Sequence, residues 1–259
     1  LDYGISMLSL VPMRAEPSNR AELVTQVLFG ECYEIISRQD KWLRIRLATD
    51  GYQGWIDQNQ HNIISKEYYQ EWKQAQHPRS MDLVQVISSA DDRIPVGIGC
   101  YLPFFDGMNV RIGEKTYLYN GRASNPESGS TIAQLVKVAQ NFMKAPYLWG
   151  GKSVFGIDCS GFAQQVYGIC GVQLPRDAYQ QVTSGEEVHF VNQTLPGDLA
   201  FFDNDEGRII HVGIVLEDQR IMHASGEVRI DTLDHNGIYN ADRKRYSHKL
   251  RIIKRIFQA

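Results

Sequence analysis

The 259-residue chain reads as an α+β protein in which two small all-β blocks precede a segment of helices and then an antiparallel sheet. Three features predict this order. Short runs rich in Val, Ile, Tyr and Trp, cut by turn residues, fill residues 1–64. A second block of the same strand and turn density occupies 80–125. From residue 130 onward, two stretches of helical period come first and runs of strand character follow.

In the first block, Val24, Val27, Tyr33, Ile35, Trp42, Leu43, Ile45 and Tyr52 favour strands, and Gln39-Asp40, Asp50-Gly51 and Gly54 punctuate them. A small β-barrel is expected. Residues 65–79 read as a helical connector: Tyr68, Tyr69, Trp72 and Ala75 recur at helical spacing after Ser65, and the run stops before Pro78. Over 80–125 the runs "LVQVISS", "VGIGCYLPFFDG", "NVRIG" and "KTYLYNG" predict a second small barrel. The polar, turn-rich stretch "NGRASNPESGS", Asn120–Ser130, marks the main domain boundary, so the last domain is expected at 126–259.

In that domain Ser130 is placed to cap a helix through "TIAQLVKVAQNFMKA", whose Ile132, Leu135, Val136, Ala139, Phe142 and Met143 form one stripe ended by Pro146. "CSGFAQQVYGICG" predicts a second helix with Cys159 in its first turn and Gly171 past its end. The runs "GDLAFFD", "HVGIVLE", "RIMHASG", "VRIDTL" and "LRIIKRIF" then predict the sheet. The basic tail "RKRYSHKLRIIKR" alternates with Leu250, Ile252 and Ile256 and reads as a strand with one solvated face.

Composition excludes several classes. With 43% hydrophobic and 22% charged residues the chain is neither disordered nor fibrous. A net charge of −3 gives no global reason to expect nucleic acid. No apolar run reaches the ~18–20 residues of a membrane-spanning helix. The four cysteines, Cys32, Cys100, Cys159 and Cys170, are widely spaced and too few for a disulfide scaffold. Numbering from Leu1 is read as the mark of a processed chain, so export to the periplasm or cell envelope is expected over a cytoplasmic location. A monomer is expected.

The chemistry centres on "YLWGGKSVFGIDCSG". A thiol attacks as thiolate, and the unpaired N–H groups and dipole of a helix N-terminus lower its pKa, so Cys159 between Asp158 and Ser160 reads as a nucleophile. Its base is His211 in "IIHVGIV", at the start of an apolar strand with Gly213 leaving space beside it. Twelve residues on, "RIMHASG" places His223 where a hairpin brings the two imidazoles side by side, His223 orienting His211. The same Cys and two His are legitimate zinc ligands, but their spacing fits no short zinc motif, and no metal or other cofactor is expected. His61, His77, His189, His235 and His248 read as structural residues in polar loops.

The ordered motifs "YLWGGKSVFGIDCSGF", "LPRDAYQQ", "LPGDLAFFD", "HVGIV" and "IMHASG" strongly resemble the NlpC-type cysteine peptidases, which have a papain-like fold and cut bacterial cell-wall peptides. The resemblance covers residues 130–259. It implies Cys159 as nucleophile, His211 as base, His223 as third polar residue, Tyr147 lining the site near the oxyanion, and Asp158 and Ser160 contacting substrate or shaping the pocket. The first block, in "LFGECYEII" and "KWLRIRLATDGYQGWID", looks like a bacterial SH3-like domain. Family members with such domains resemble dipeptidyl-peptidase-type γ-D-glutamyl-L-diamino acid endopeptidases, which act on freed wall peptides with an unblocked L-Ala. That resemblance implies Asp177, Glu31 and Tyr52 as partners of the substrate ammonium, a charge that needs carboxylates and gains from an aromatic face. Ala178 stands where relatives often carry a hydroxyl residue.

The expectation is therefore a papain-like α+β cysteine peptidase behind two SH3-like barrels. It would cleave the γ-D-glutamyl-diamino acid bond of murein peptides and release L-Ala-D-Glu in cell-wall peptide recycling. Two alternatives stand beside it: an endopeptidase on intact peptidoglycan whose SH3-like domains bind the wall, and a catalytically inactive wall-binding protein.

Overall fold

The computed structural model describes residues 2–125 and 130–257, so the boundary expected within 120–130 lies partly, at 126–129, outside the described residues. The chain forms two compact units, Leu1–Gly129 with Trp149–Val154, and Ser130–Leu148 with Phe155–Ala259.

In the first unit, β1 (Asp2–Ile5), β2 (Leu10–Arg14), β3 (Leu23–Leu28), β4 (Cys32–Gln39), β5 (Trp42–Leu47), β6 (Gln53–Asp57) and β7 (Asn62–Ile64) make one antiparallel sheet in the order β3-β2-β6-β5-β4-β1-β7. Alternation drives it: along β5, Trp42, Leu43, Ile45 and Leu47 are buried while Arg44 and Arg46 face solvent. Val11, Met13, Val27, Tyr33, Ile35, Leu43, Ile45, Leu47 and Ile56 pack as the barrel core. α1 (Lys66–Gln74) starts where Ser65 Oγ accepts the Tyr68 N–H at 3.0 Å.

The second all-β block differs from the small barrel expected of it. β8 (Val84–Ser88), β9 (Arg93–Gly97), β10 (Asn109–Ile112) and β11 (Lys115–Tyr119) form a four-stranded antiparallel sheet, order β10-β11-β8-β9. Pro95, which has no N–H to give a second neighbour, lies in the edge strand β9. The sheet has no closed core of its own. Ile87, Val96, Val110, Ile112, Tyr117 and Tyr119 pool with Tyr68, Tyr69 and Trp72 of α1, with Tyr3 and Ile5 of the first sheet and with Phe29 of its β3–β4 turn. The helix expected as a connector is thus core material, because its three aromatics are apolar area that both sheets can bury. β12 (Lys152–Ser153) also belongs to this unit.

In the second unit α2 (Ile132–Gln140) is capped by Thr131, not by Ser130, through a capping box in which the Thr131 hydroxyl and the Gln134 side chain each take the other's backbone N–H. The α-helix ends at Gln140, short of Phe142 and Met143. Asn141 Nδ2 donates to the Lys137 and Val138 carbonyls at 3.0 and 3.3 Å, and tight turns follow to Lys144 at φ 68°. β13 (Gly156–Ile157) leads into α3 (Cys159–Ile169), and α4 (Ala178–Gln181) follows.

The sheet of this unit contains β14 (Glu186–Val188), β15 (Leu199–Asp203), β16 (Ile209–Leu216), β17 (Arg220–Ser225), β18 (Glu227–Asp234), β19 (Gly237–Asn240) and β20 (Arg245–Arg255), order β14-β20-β15-β16-β17-β18-β19. Eleven-residue β20 pairs with β19 through Arg245–Lys249 and with β15 through Lys249–Lys254, which closes the sheet on itself. Ala200, Phe202, Val215, Ile221, Leu233, Ile238 and Ile253 pack together within it.

Candidate active site

Asp158 starts α3: its Oδ1 accepts the Gly161 N–H at 2.7 Å and leaves Cys159 as the first helical residue. The same carboxylate takes Arg176 in a two-pronged bond, Nη1 to Oδ1 at 3.0 Å and Nη2 to Oδ2 at 2.7 Å, and Arg176 Nη1 also donates to Ser160 Oγ at 2.9 Å. Gln181 Nε2 donates to the carbonyls of Ser160 and Pro175 at 3.0 and 2.8 Å. Both Arg176 and Gln181 lie in "LPRDAYQQ", where the family resemblance implied a role only for Asp177. The sequence did not show that Arg176 is buried: at 1% exposure its guanidinium needs a carboxylate, and Asp158 supplies it.

Cys159 is 7% exposed. Contrary to the helix-dipole expectation, its thiol is pushed up to about 12, first by burial and then by the Asp158 charge, while the Val212 backbone N–H acts to lower it. That hydrogen bond sets the sulfur beside the strand that carries His211.

His211 and His223 meet as their spacing predicts, His211 Nε2 to His223 Nδ1 at 2.8 Å. The register β16–β17 places Gly213 opposite His223, and a Cβ on Gly213 would lie 2.9 Å from the His223 Cβ and 2.7 Å from Ile221 Cδ1, so only glycine admits this approach. Beyond the expected pair, His223 Nε2 contacts Asp231 Oδ2 at 2.9 Å, and Arg229 holds both oxygens of that carboxylate at 2.7 and 2.9 Å. Burial acts to raise the Asp231 carboxyl, but the His223 and Arg229 hydrogen bonds outweigh it and hold it below its usual value.

His248 corrects the reading of a structural loop residue. It lies in β20, opposite Ile238 of β19, and its ring stacks on His211 with centroids 4.0 Å apart and planes 18° apart. Only the double pairing of β20 brings it there. Burial, followed by the charges of His248 and His223, pushes His211 well below its ordinary value. Burial, followed by the His223 charge, lowers His248 to about 4, against an opposing pull from Asp231.

These shifts carry a sign for stability. A histidine kept neutral by the fold takes up its proton only on unfolding, so stability is lost as pH falls from about 6.5 toward the folded value, at about 1.4 kcal/mol per pH unit for each such residue. Lowered His77 and His61 act in the same direction. The Tm is therefore expected to drop between pH 7 and 5, and His248→Phe to flatten that drop. An unchanged slope in the variant, followed by circular dichroism melts, would contradict the burial argument.

Among the described residues, the ring nitrogens of His211, His223 and His248 come within 4.8 Å of one another, a grouping that takes His248 in place of Cys159. The stacked rings direct their in-plane lone pairs along nearly parallel planes, and the His211–His223 contact is already a hydrogen bond. The three do not converge on one tetrahedral centre without ring rotation.

Tyr147 is half-buried, with its N–H on the Gly226 carbonyl at 2.9 Å and its hydroxyl raised to about 12, chiefly by burial. Asp177 precedes α4, where its N–H donates to Gln180 Oε1 at 3.2 Å. In the first unit Tyr52 packs against the barrel core. Glu31 is 2% exposed there and is not a free carboxylate: it accepts the Leu28 N–H at 2.6 Å and Lys152 Nζ at 3.1 and 3.3 Å. Lys152 was missed because 121 residues separate it from Glu31.

The NlpC/P60 family profile matches residues 144–246, and the bacterial dipeptidyl-peptidase SH3 domain profile matches residues 13–60. The second all-β block lies outside both matches. The γ-D-glutamyl-L-lysine dipeptidyl-peptidase of Bacillus subtilis is 27% identical over 215 residues, 77% of this chain and 71% of that one. Dipeptidyl-peptidase 6 of Lysinibacillus sphaericus is 27% identical over 257 residues, 89% and 92% of the two chains. The crystal structure of an NlpC/P60 family protein from Bacillus cereus superposes with a TM-score of 0.80 over 98% of this chain and 99% of that one, at 20% identity, a likeness of fold. The probable endopeptidase NlpC of Escherichia coli is 37% identical over 108 residues, 41% of this chain and 68% of that one, and with the matched profiles it makes the chain a cysteine peptidase of the NlpC/P60 family that carries a bacterial dipeptidyl-peptidase SH3 domain.

Proposed function

We propose that the protein hydrolyses the γ-D-glutamyl bond to a diamino acid in cell-wall peptides, using Cys159 as nucleophile, His211 as base and His223 as its orienting partner. The observation that carries this reading is the placement of Cys159 as first residue of α3, against the Val212 N–H, on the strand whose preceding residue, His211, is hydrogen-bonded to His223. The raised thiol and lowered imidazole make the resting pair neutral. His211 takes the thiol proton as sulfur attacks the γ-glutamyl carbonyl, and backbone N–H groups at the start of α3 meet the oxyanion. The imidazolium then protonates the leaving amine. Water activated by His211 cleaves the thioester and releases L-Ala-D-Glu. Tyr147 lines the site near the oxyanion, and Asp158 and Ser160 shape it through Arg176.

The names of the Bacillus and Lysinibacillus relatives support a dipeptidyl-peptidase, an activity that needs a free N-terminal amine. In this reading Asp177 receives that ammonium, the compartment is the cell envelope, and the role is recycling of wall peptides by a monomer. The Lys152–Glu31 ion pair favours a second reading, because a carboxylate already matched by a cation adds little for an incoming ammonium. An enzyme without that contribution tolerates blocked N-termini and accepts intact peptidoglycan.

The two separate on L-Ala-γ-D-Glu-diaminopimelate, free and N-acetylated. The dipeptidyl-peptidase reading expects kcat/KM at least ~10²-fold higher for the free peptide, about the cost of leaving a buried carboxylate unpaired. Equal values would overturn it in favour of the endopeptidase.

A further inference from the structure

The register of β16, β17 and β18 does more than pair two histidines. Gly213 lies opposite His223, and His223 lies opposite Arg229. His211 and Asp231 are each two residues along from those partners, so His211, His223 and Asp231 share one face and run diagonally across three strands. The contacts are continuous: His211 Nε2 to His223 Nδ1 at 2.8 Å, and His223 Nε2 to Asp231 Oδ2 at 2.9 Å. The side chains of His223 and Asp231 are 1% and 3% exposed, which shields the Asp231 end of the chain from water.

The polarity of this chain follows from its far end. An ionised carboxylate only accepts, so the His223 Nε2 facing Asp231 carries the proton. With one proton on the ring, His223 Nδ1 is then an acceptor, and His211 Nε2–H must donate to it. His211 is left with its lone pair on Nδ1, the one atom able to take a proton from the thiol. The reverse polarity would put a hydrogen on Nδ1 and remove the base. Arg229 keeps Asp231 ionised and fixed, by Nε to Oδ2 at 2.7 Å and Nη2 to Oδ1 at 2.9 Å, and is itself held by Asp242 at 2.8 Å.

We infer that Asp231, clamped by Arg229, is a positioning residue that sets the tautomers of His223 and His211 and so fixes Nδ1 of His211 as the basic atom. It does not touch substrate. Its carboxylate also stabilises the charge that spreads over the two imidazoles when His211 accepts the thiol proton.

The inference rests on His211 being the base, so its test has two arms. In the activity arm, Asp231→Asn is expected to lower kcat by roughly 10²-fold, less than the ~10⁴-fold seen when a carboxylate bonded directly to a catalytic imidazole is neutralised. KM stays within about twofold, and Asp231→Glu recovers part of the loss. In the substrate-free arm, ¹⁵N-resolved imidazole spectra of the native protein at pH 7.5 are expected to show protonated Nε2 and unprotonated Nδ1 on both His211 and His223, and Asp231→Asn to mix the tautomers. Native rings protonated on Nδ1, or a folded Asp231→Asn protein with native kcat, would overturn the inference. A native protein that has the expected tautomers and cleaves no wall peptide would overturn the proposed function and leave the relay standing.

Discussion

Cys159→Ala is expected to lower turnover of a cell-wall tripeptide by about 10⁴-fold or more, the scale on which loss of a covalent nucleophile acts. The fold should not follow it. Alanine keeps the helical backbone, the Asp158 cap bonds Gly161 and not the thiol, and removal of one sulfur leaves a cavity smaller than a methyl-bearing side chain. Melts of the variant should overlay the native ones within a few degrees, so a loss of activity reads as chemistry. The neutral resting thiol adds a second signature. Burial and the Asp158 charge push it up to about 12, so alkylation of the free enzyme by iodoacetamide should be slow at pH 7 and rise steadily with pH, without a plateau near neutrality. Full turnover by the alanine variant would remove Cys159 from the mechanism.

Arg176→Met is expected to cost about 3–5 kcal/mol, the penalty for removing one partner of a buried ion pair. The guanidinium is 1% exposed and its partner Asp158 9% by side chain. Without it, Asp158 keeps its bond to the Gly161 N–H but carries an unmatched buried charge, and Ser160 loses a donor. The Tm should fall by roughly 10 °C. Because the defect lies at the cap of α3, activity should fall even where the variant is folded. The double variant Arg176→Met with Asp158→Asn, which keeps an N-cap oxygen and discards the charge, should recover part of the stability. A double variant no more stable than the single one would show that geometry, not charge, is what Arg176 supplies.

What the sequence made legible follows the range of the forces involved. Local signals were readable: a helix that follows Ser65, Asp158 ahead of α3, and a hairpin whose spacing sets His211 beside His223. Features decided by long-range packing were not. His248 acquires its place only because β20 pairs on both sides, and Lys152 meets Glu31 across 121 residues. Asp231 needed the β17–β18 register, although "VRID" put Arg229 and Asp231 on one face. For the second all-β block, strand density showed that strands exist and not which core they share. For the thiol the sign was wrong because a helix terminus is worth a few tenths to one kcal/mol, while full burial shifts a pKa by several units.

The central claim is that one thiol, Cys159, cleaves the γ-D-glutamyl linkage. It is tested most directly by mass spectrometry of the products from L-Ala-γ-D-Glu-diaminopimelate with the native protein and with Cys159→Ala. L-Ala-D-Glu and free diaminopimelate from the native protein, and neither from the variant, is the expected result. The same products from both proteins, or cleavage at the L-Ala–D-Glu bond instead, would contradict it.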